Sequence, residues 1–255
     1  MNTQRFFGRW LRLPKRMVHA GVAYVEFVSD FRRFAKAARR SGRQIHISWR
    51  DRYPILNERT ATMSFEPHYT YHPAWAARII QRVGPERHVD ISSSLHFCTM
   101  LSAFVPVEFY DYRPAKLILN GLKVGRCDLT ALHFQTDSIP ALSCMHVVEH
   151  IGLGRYGDPL DPEGDLKAMK ELSRVLAVGG SLLFVVPVGQ PVIRFNAHRI
   201  YAFRQVIETF SRLSLKEFSL VPDNGIEAGL VEKASEELAN RQHCGCGCFW
   251  FVKSQ

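Results

Sequence analysis

The 255-residue sequence predicts a doubly wound α/β domain from about residue 73 to the C-terminus, and three observations carry that expectation. Short apolar runs alternate with helical stripes, which implies right-handed crossovers and a parallel sheet. The run SLLFVVP (181–187) is apolar throughout, as strands buried on both faces are. A content of 46% hydrophobic and 22% charged residues excludes a mainly disordered chain or a disulfide-stapled miniature.

The elements follow in order. Pro73 suits the first turn of a helix that runs through AWAARIIQRV to Gly84-Pro85. HVDISSS (88–94) reads as a short buried strand entering a turn, LHFCTMLSAF as a helix and VEFYD (107–111) as the second strand. RPAKLILNGL reads as a helix, and a short strand is expected around VGRCDL. SIPALSCMHVV (138–148) is the fourth strand. The glycine-rich loop IGLGRYGDPLDPEG (151–164) then leads into the helix DLKAMKELSRVLAVGG, with Gly179-Gly180 as its expected stop. After SLLFVVP come a helix in YAFRQVIETFSRL and the strands SLKEFSLV and CGCFWFV (246–252).

Charge divides the chain. Residues 1–43 hold 11 Lys/Arg against Glu26 and Asp30, whereas residues 44–255 hold 22 basic and 22 acidic residues. The whole excess of +9 therefore sits in the first segment. A nucleic-acid enzyme spreads basic residues over its binding face, so the neutral remainder argues against such a partner. Val18, Val22, Val25, Val28, Phe31, Phe34, Ala35 and Ala38 recur at helical spacing. Residues 1–43 thus read as a basic amphipathic helical arm, suited to peripheral contact with an anionic membrane or to packing on the main domain. Residues 44–72 read as a linker or lid, and residues 73–255 as the main domain. No run reaches the roughly 18–20 apolar residues of a membrane span, and His19 and Glu26 interrupt the faint signal-like stretch 17–28. The expectation is a cytoplasmic protein, peripheral to the membrane if the arm engages it. Oligomeric state is left open.

In a doubly wound sheet, ligands bind beyond the carboxyl ends of the strands. The polar residues there are Asp90 and Ser92–Ser94, then Asp111, Asp128, and the group His146, Glu149 and His150. Asp111, at the end of the second strand, is placed to accept hydrogen bonds from ribose hydroxyls, or simply to cap the following turn. DLTALHF, SIPALSCMHVVEHIGLG and LKAMKELSRVLAVGGSLLFVVP together resemble the central half of class I S-adenosylmethionine-dependent methyltransferases, over roughly residues 86–190. More narrowly, HVVEHIGLGRYGDPLDPEGD, with FYDYRP before it and FNAHR after it, resembles a domain-of-unknown-function family first described in nematodes, over most of residues 65–253.

The resemblance implies a Rossmann-like methyltransferase sheet and S-adenosylmethionine as cofactor. It assigns Asp90, Ser92 and Ser93 to the methionine end, Asp111 to the ribose and Asp128 to the adenine edge. The family loop reads Asp-x-Gly-x-Gly-x-Gly, but here Asp90-Ile91-Ser92-Ser93-Ser94 stands in its place, and a Cβ restricts positive φ. His146, His150 and His198 are candidate bases, with Glu149 as orienting carboxylate or alternative base. Arg155, Asp158 and Asp161 of the loop, with Asn196 and Arg199, are candidates for contact with a small polar acceptor, such as a sugar or glycan intermediate of surface polysaccharide. A degenerate, non-catalytic binding module is the alternative. The loop acids lack calcium-loop spacing, and Cys244, Cys246 and Cys248 lack paired zinc spacing, so no metal site is predicted.

Overall fold

The computed structural model describes residues 12–42 and 45–254, with side chains from Ala20 onward. The chain forms two compact units, Met1–Ser64 and Phe65–Gln255. In the first, helix α1 spans Arg12–Arg40 and ends on Arg39 and Arg40, which complement the partial negative charge at a helix C-terminus. Phe31 meets Trp49 edge-on at 5.0 Å, and Arg59 reaches Asp30 at 2.6 Å. Val22, Val25 and Phe34 of the predicted stripe are exposed, and Val18 lies outside the described side chains. Among the described residues, no helix is long and apolar enough to cross a membrane.

The second unit opens with helix α2, Pro67–Val83. It begins six residues before the expected start, with Pro73 inside it. Glu66 caps it by accepting from Tyr69 N at 2.6 Å, and Pro67 takes the first turn, where no N–H is needed. Strand β1 (His88–Ile91) is followed by α3 (Leu95–Leu101), β2 (Val107–Asp111), β3 (Leu122–Arg126) and β4 (Ile139–Met145). The helix expected over RPAKLILNGL does not form. Leu117, Ile118 and Leu119 stay exposed, so that stripe has no apolar surface to pack on, and Pro114 disfavours helix before it.

Helix α4 (Gly164–Val175) gives way directly to β5 (Leu176–Val188), four residues before the predicted Gly179-Gly180 stop. Leu176 is drawn into the sheet against Ile139, and pairing resumes at Ala141↔Ser181 after a bulge. A hairpin of β6 (Val192–Arg194) and β7 (His198–Ile200) follows, then α5 (Phe203–Thr209), β8 (Leu213–Val221) and β9 (Gly245–Lys253).

The main sheet runs β3-β2-β1-β4-β5-β9-β8. The pairs from β3 through β5 are parallel, and β9 inserts antiparallel between β5 and β8. The predicted doubly wound sheet is therefore present, with strand order reversing between β1 and β4. Alternation along the strands divides the core between the two faces: Phe184 and Phe249 join Met169 and Leu172 on one, while Val185 and Cys248 join Trp75, Ile79 and Phe97 on the other. Phe218–Phe249 and Phe184–Phe210 contacts at 4.7 and 4.9 Å knit the first.

Candidate functional site

A cavity of about 400 Å³ opens beyond the carboxyl ends of β1–β4, where the strand order reverses. Ser92, Asp111, Asp128, His146, His150, Asp158 and Asp161 all line it. Seven of the predicted site residues are thus brought together. Asp90, Ser93, Glu149, Arg155, His198, Asn196 and Arg199 are not on its wall.

The turn after β1 shows why. Asp90 is fully buried, accepting from Ser93 N at 3.0 Å and from the Ser143 hydroxyl, whose oxygen lies 2.7 Å from His88 Nε2. Burial pushes the Asp90 carboxyl up to about 6, against the opposing pull of its serine hydrogen bonds. Burial likewise pushes His88 down to about 3. The Ser93 hydroxyl accepts from Met145 N at 2.9 Å. Asp90 and Ser93 therefore hold β1 to β4 across the crevice. Ser92 adopts φ 59°, the left-handed conformation that glycine would take, and its N–H donates to Tyr110 O at 2.7 Å. A left-handed turn thus forms after β1 without a glycine.

Asp111 has one oxygen taken by Arg113 N at 2.7 Å, so it caps its turn and faces the cavity as well. Asp128 accepts from both the amide and the hydroxyl of Thr130, at 2.8 and 2.7 Å.

On the β4 side, a short 3-10 turn (Val148–His150) places His146 and His150 on the same cavity. His146 sits at φ 57°. Its Nδ1 lies 2.9 Å from buried Glu149 Oε1, and its Nε2 has no hydrogen-bond partner among the described residues. Burial opposes charge on His146, but Cys246 and Glu149 outweigh it and raise its pKa to about 10. Burial also holds Cys246 well above the ordinary thiol range. His150 donates from Nδ1 to Ala197 O at 2.6 Å, which leaves a lone pair on Nε2 in the neutral ring. His198 stands aside, beside Arg194 at 3.3 Å, and burial and that guanidinium lower its pKa.

The loop 151–164 is stiffened from within. Asp158 accepts from Gly152 N at 2.7 Å and Tyr156 N at 3.2 Å, while Asp161 pairs with Lys167 at 2.6 Å. A Cβ on Gly152 would meet Asp161 O at 2.0 Å, so that close approach requires glycine. Arg199 is buried beneath the loop, donating to Ile151 O at 2.6 Å and lying 3.4 Å from Asp165. Asn196 reaches Leu153 O at 3.5 Å, and Arg155 donates to Ala197 O at 3.1 Å. Tyr156, on the cavity wall, carries the guanidinium groups of Arg113 and Arg155 over its ring, at 4.8 and 5.2 Å.

Sequence reading passed over His68, His72 and Tyr69, because they fall in the stretch read as linker. All three pack on His146, with ring centroids 5.6, 5.1 and 5.4 Å away. The available signal was the His68-x-x-x-His72 spacing, which shares one helix face. Cys246 and Cys248 point to one face of β9 as alternation predicts, with sulfurs 3.8 Å apart. Sequence spacing predicted no metal site, but the fold gathers donor atoms of His68, His146 and Cys246 within 4.8 Å of one another.

Residues 131–219 match the family described as Caenorhabditis protein of unknown function, DUF268, a narrower span than the 65–253 of the sequence resemblance. No curated protein matches the sequence. Among solved structures, the chain is similar to the N-methyltransferase NodS from Bradyrhizobium japonicum WM9 in complex with S-adenosyl-L-homocysteine. That pair is 13% identical with a TM-score of 0.51, covering 72% of this chain and 86% of NodS. It is also similar to geranyl diphosphate methyltransferase in complex with S-adenosylmethionine, at 15% identity and a TM-score of 0.50, covering 71% of this chain and 85% of that one. The likeness is one of fold. This chain has the Rossmann-like methyltransferase fold.

Proposed function

We propose that the protein is an S-adenosylmethionine-dependent methyltransferase acting on a small polar acceptor. The observation that carries this reading is the convergence of Ser92, Asp111 and Asp128, from the ends of three adjacent strands, on one cavity. Its volume of about 400 Å³ falls within the roughly 300–1,000 Å³ of small-molecule sites. The left-handed turn at Ser92 keeps backbone at the crevice where the methionine end would lie. In this reading Asp111 accepts from the ribose hydroxyls and Asp128 meets the adenine edge.

The cofactor would supply an electrophilic sulfonium methyl. The protein's part is to hold an acceptor in line with it and to take up the acceptor proton. His150 suits the second task, since its Nδ1–H is fixed on Ala197 O and its Nε2 is left as the basic atom. Glu149, 3.8 Å from that nitrogen, favours the imidazolium once formed. Tyr156, with two guanidinium groups over its ring, and the loop around it form the acceptor side. A sugar hydroxyl of a surface glycan intermediate fits such a polar wall. The basic helix Arg12–Arg40 suits peripheral contact with an anionic surface that carries a lipid-linked substrate. The neutral balance of residues 44–255 disfavours nucleic acid.

Calorimetry tests the cofactor reading. Micromolar binding of S-adenosylmethionine and S-adenosylhomocysteine, lost in Asp111→Ala, is the expected result. Absence of binding to folded protein overturns it and favours the second reading, a non-catalytic module, which the buried role of Asp90 and Ser93 would then explain.

A further inference from the structure

Three donor groups from distant parts of the chain meet beside the cavity. His68 is in the first turn of α2, His146 follows β4, and Cys246 lies on β9. All their ligand atoms fall within 4.8 Å of one another. Tetrahedral bonds of about 2.0–2.3 Å place donors roughly 3.3–3.8 Å apart, so the ion would draw the group together by about an ångström. His68, half-buried on the first helical turn, has the freedom to supply that closure.

The second observation is independent of that proximity. His146 Nδ1 is held 2.9 Å from Glu149, which turns Nε2 toward the cluster, and Nε2 is buried with no hydrogen-bond partner among the described residues. A buried polar atom without a partner is costly. A carboxylate–histidine pair with the far nitrogen presented is also the arrangement that orients imidazole ligands on metals. Two imidazoles and a thiolate select a borderline-soft transition ion over magnesium or calcium.

We propose that His68, His146 and Cys246 form a zinc site, with Glu149 as the positioning residue for His146. Binding displaces two protons to solvent, that of the Cys246 thiol and that on His146 Nε2, leaving a thiolate–zinc and an imidazole–zinc bond while His146 Nδ1–H stays on Glu149. Three protein ligands leave a fourth position for water or a substrate oxygen, the pattern of reactive rather than purely structural zinc. His146 also lines the cavity, so that position adjoins it. The site does not depend on the methyltransferase reading, because metal uptake is read without cofactor or acceptor.

The test uses the full chain, stripped of metal and titrated with Zn²⁺ against a chromophoric chelator, then with Co²⁺ by absorption. One equivalent of zinc, a tetrahedral cobalt spectrum and a thiolate-to-cobalt charge-transfer band are expected. Cys246→Ser should abolish that band. His68→Gln, at a half-exposed position, should weaken zinc binding about tenfold or more with an unchanged circular dichroism spectrum. Glu149→Gln should weaken it about 10- to 100-fold. Folded wild-type protein that takes up no stoichiometric metal overturns the proposal. So does a His68→Gln variant with wild-type affinity, or a cobalt complex lacking the charge-transfer band. Should Cys246→Ser fail to fold, His68→Gln and the wild-type cobalt spectrum decide the matter.

Discussion

Glu149 Oε1 lies 2.9 Å from His146 Nδ1 and 3.8 Å from His150 Nε2, so one buried carboxylate serves two histidines of the same cavity wall. Glu149→Ala should leave the buried His146 without its partner and destabilise the fold by about 1–3 kcal/mol, whereas Glu149→Gln retains an acceptor and costs less. Urea unfolding of the two variants beside wild type measures this. Equal stability of all three would show the pair to be energetically idle.

Asp90 gives a pH signature. Its folded carboxyl titrates at about 6 against 3.8 for the ordinary group, so the folded state binds the extra proton between those values. The stabilisation is complete below about pH 4 and is lost as pH rises through 6, by about 3 kcal/mol in all. His88, pushed down to about 3, acts oppositely: its contribution is present above about 6.5 and fades as pH falls. Asp90→Asn keeps His88 and removes the carboxylate. The stability difference, wild type minus variant, should therefore fall from pH 4 to 6 and flatten above. A flat difference throughout would contradict the buried titration.

The visible and the hidden parts of this site differ for a physical reason. Asp111 and Asp128 were legible because each ends an apolar strand, and sheet topology sends strand ends to one edge. The run 181–187 announced its own burial. His68 and Cys246 could not be found this way, since their meeting with His146 depends on pairings across 78 and 100 residues of chain. The start of α2 was misplaced because Pro73 carries the local signal of a first turn, while the cap at Glu66 and the burial of His72 and Trp75 decide the matter in three dimensions. RPAKLILNGL has helical spacing but no surface to pack against.

Ser92 offers a test of backbone strain. Ser92→Val should destabilise by about 1–3 kcal/mol, because a β-branched residue tolerates φ near 60° poorly, and should weaken any ligand at the crevice. Ser92→Gly should fold at least as well as wild type. Thermal unfolding compares them, and a valine variant as stable as the glycine one would remove the argument.

Arg199 anchors rather than contacts. Arg199→Ala leaves buried Asp165 without its guanidinium and Ile151 O without its donor, a loss of about 3–5 kcal/mol. Limited proteolysis should then cut within 151–164, where wild type resists. Cleavage unchanged from wild type would show that the loop holds itself.

The meeting of Gly152 with Asp161, whose N–H donates to Gly152 O at 3.0 Å where no Cβ fits, cinches that loop at its neck. Below the cinch, Arg199 of β7 fastens it to the β6–β7 hairpin; above it, Leu153 O and Arg155 are pinned to the turn of that hairpin through Asn196 and Ala197 O. The tip is thus a cap pinned at its neck and again at the hairpin turn. Tyr156 and Pro159 line the cavity between those pins, so in the methyltransferase reading the residues that would meet an acceptor and those that hold the loop alternate within one short stretch of chain.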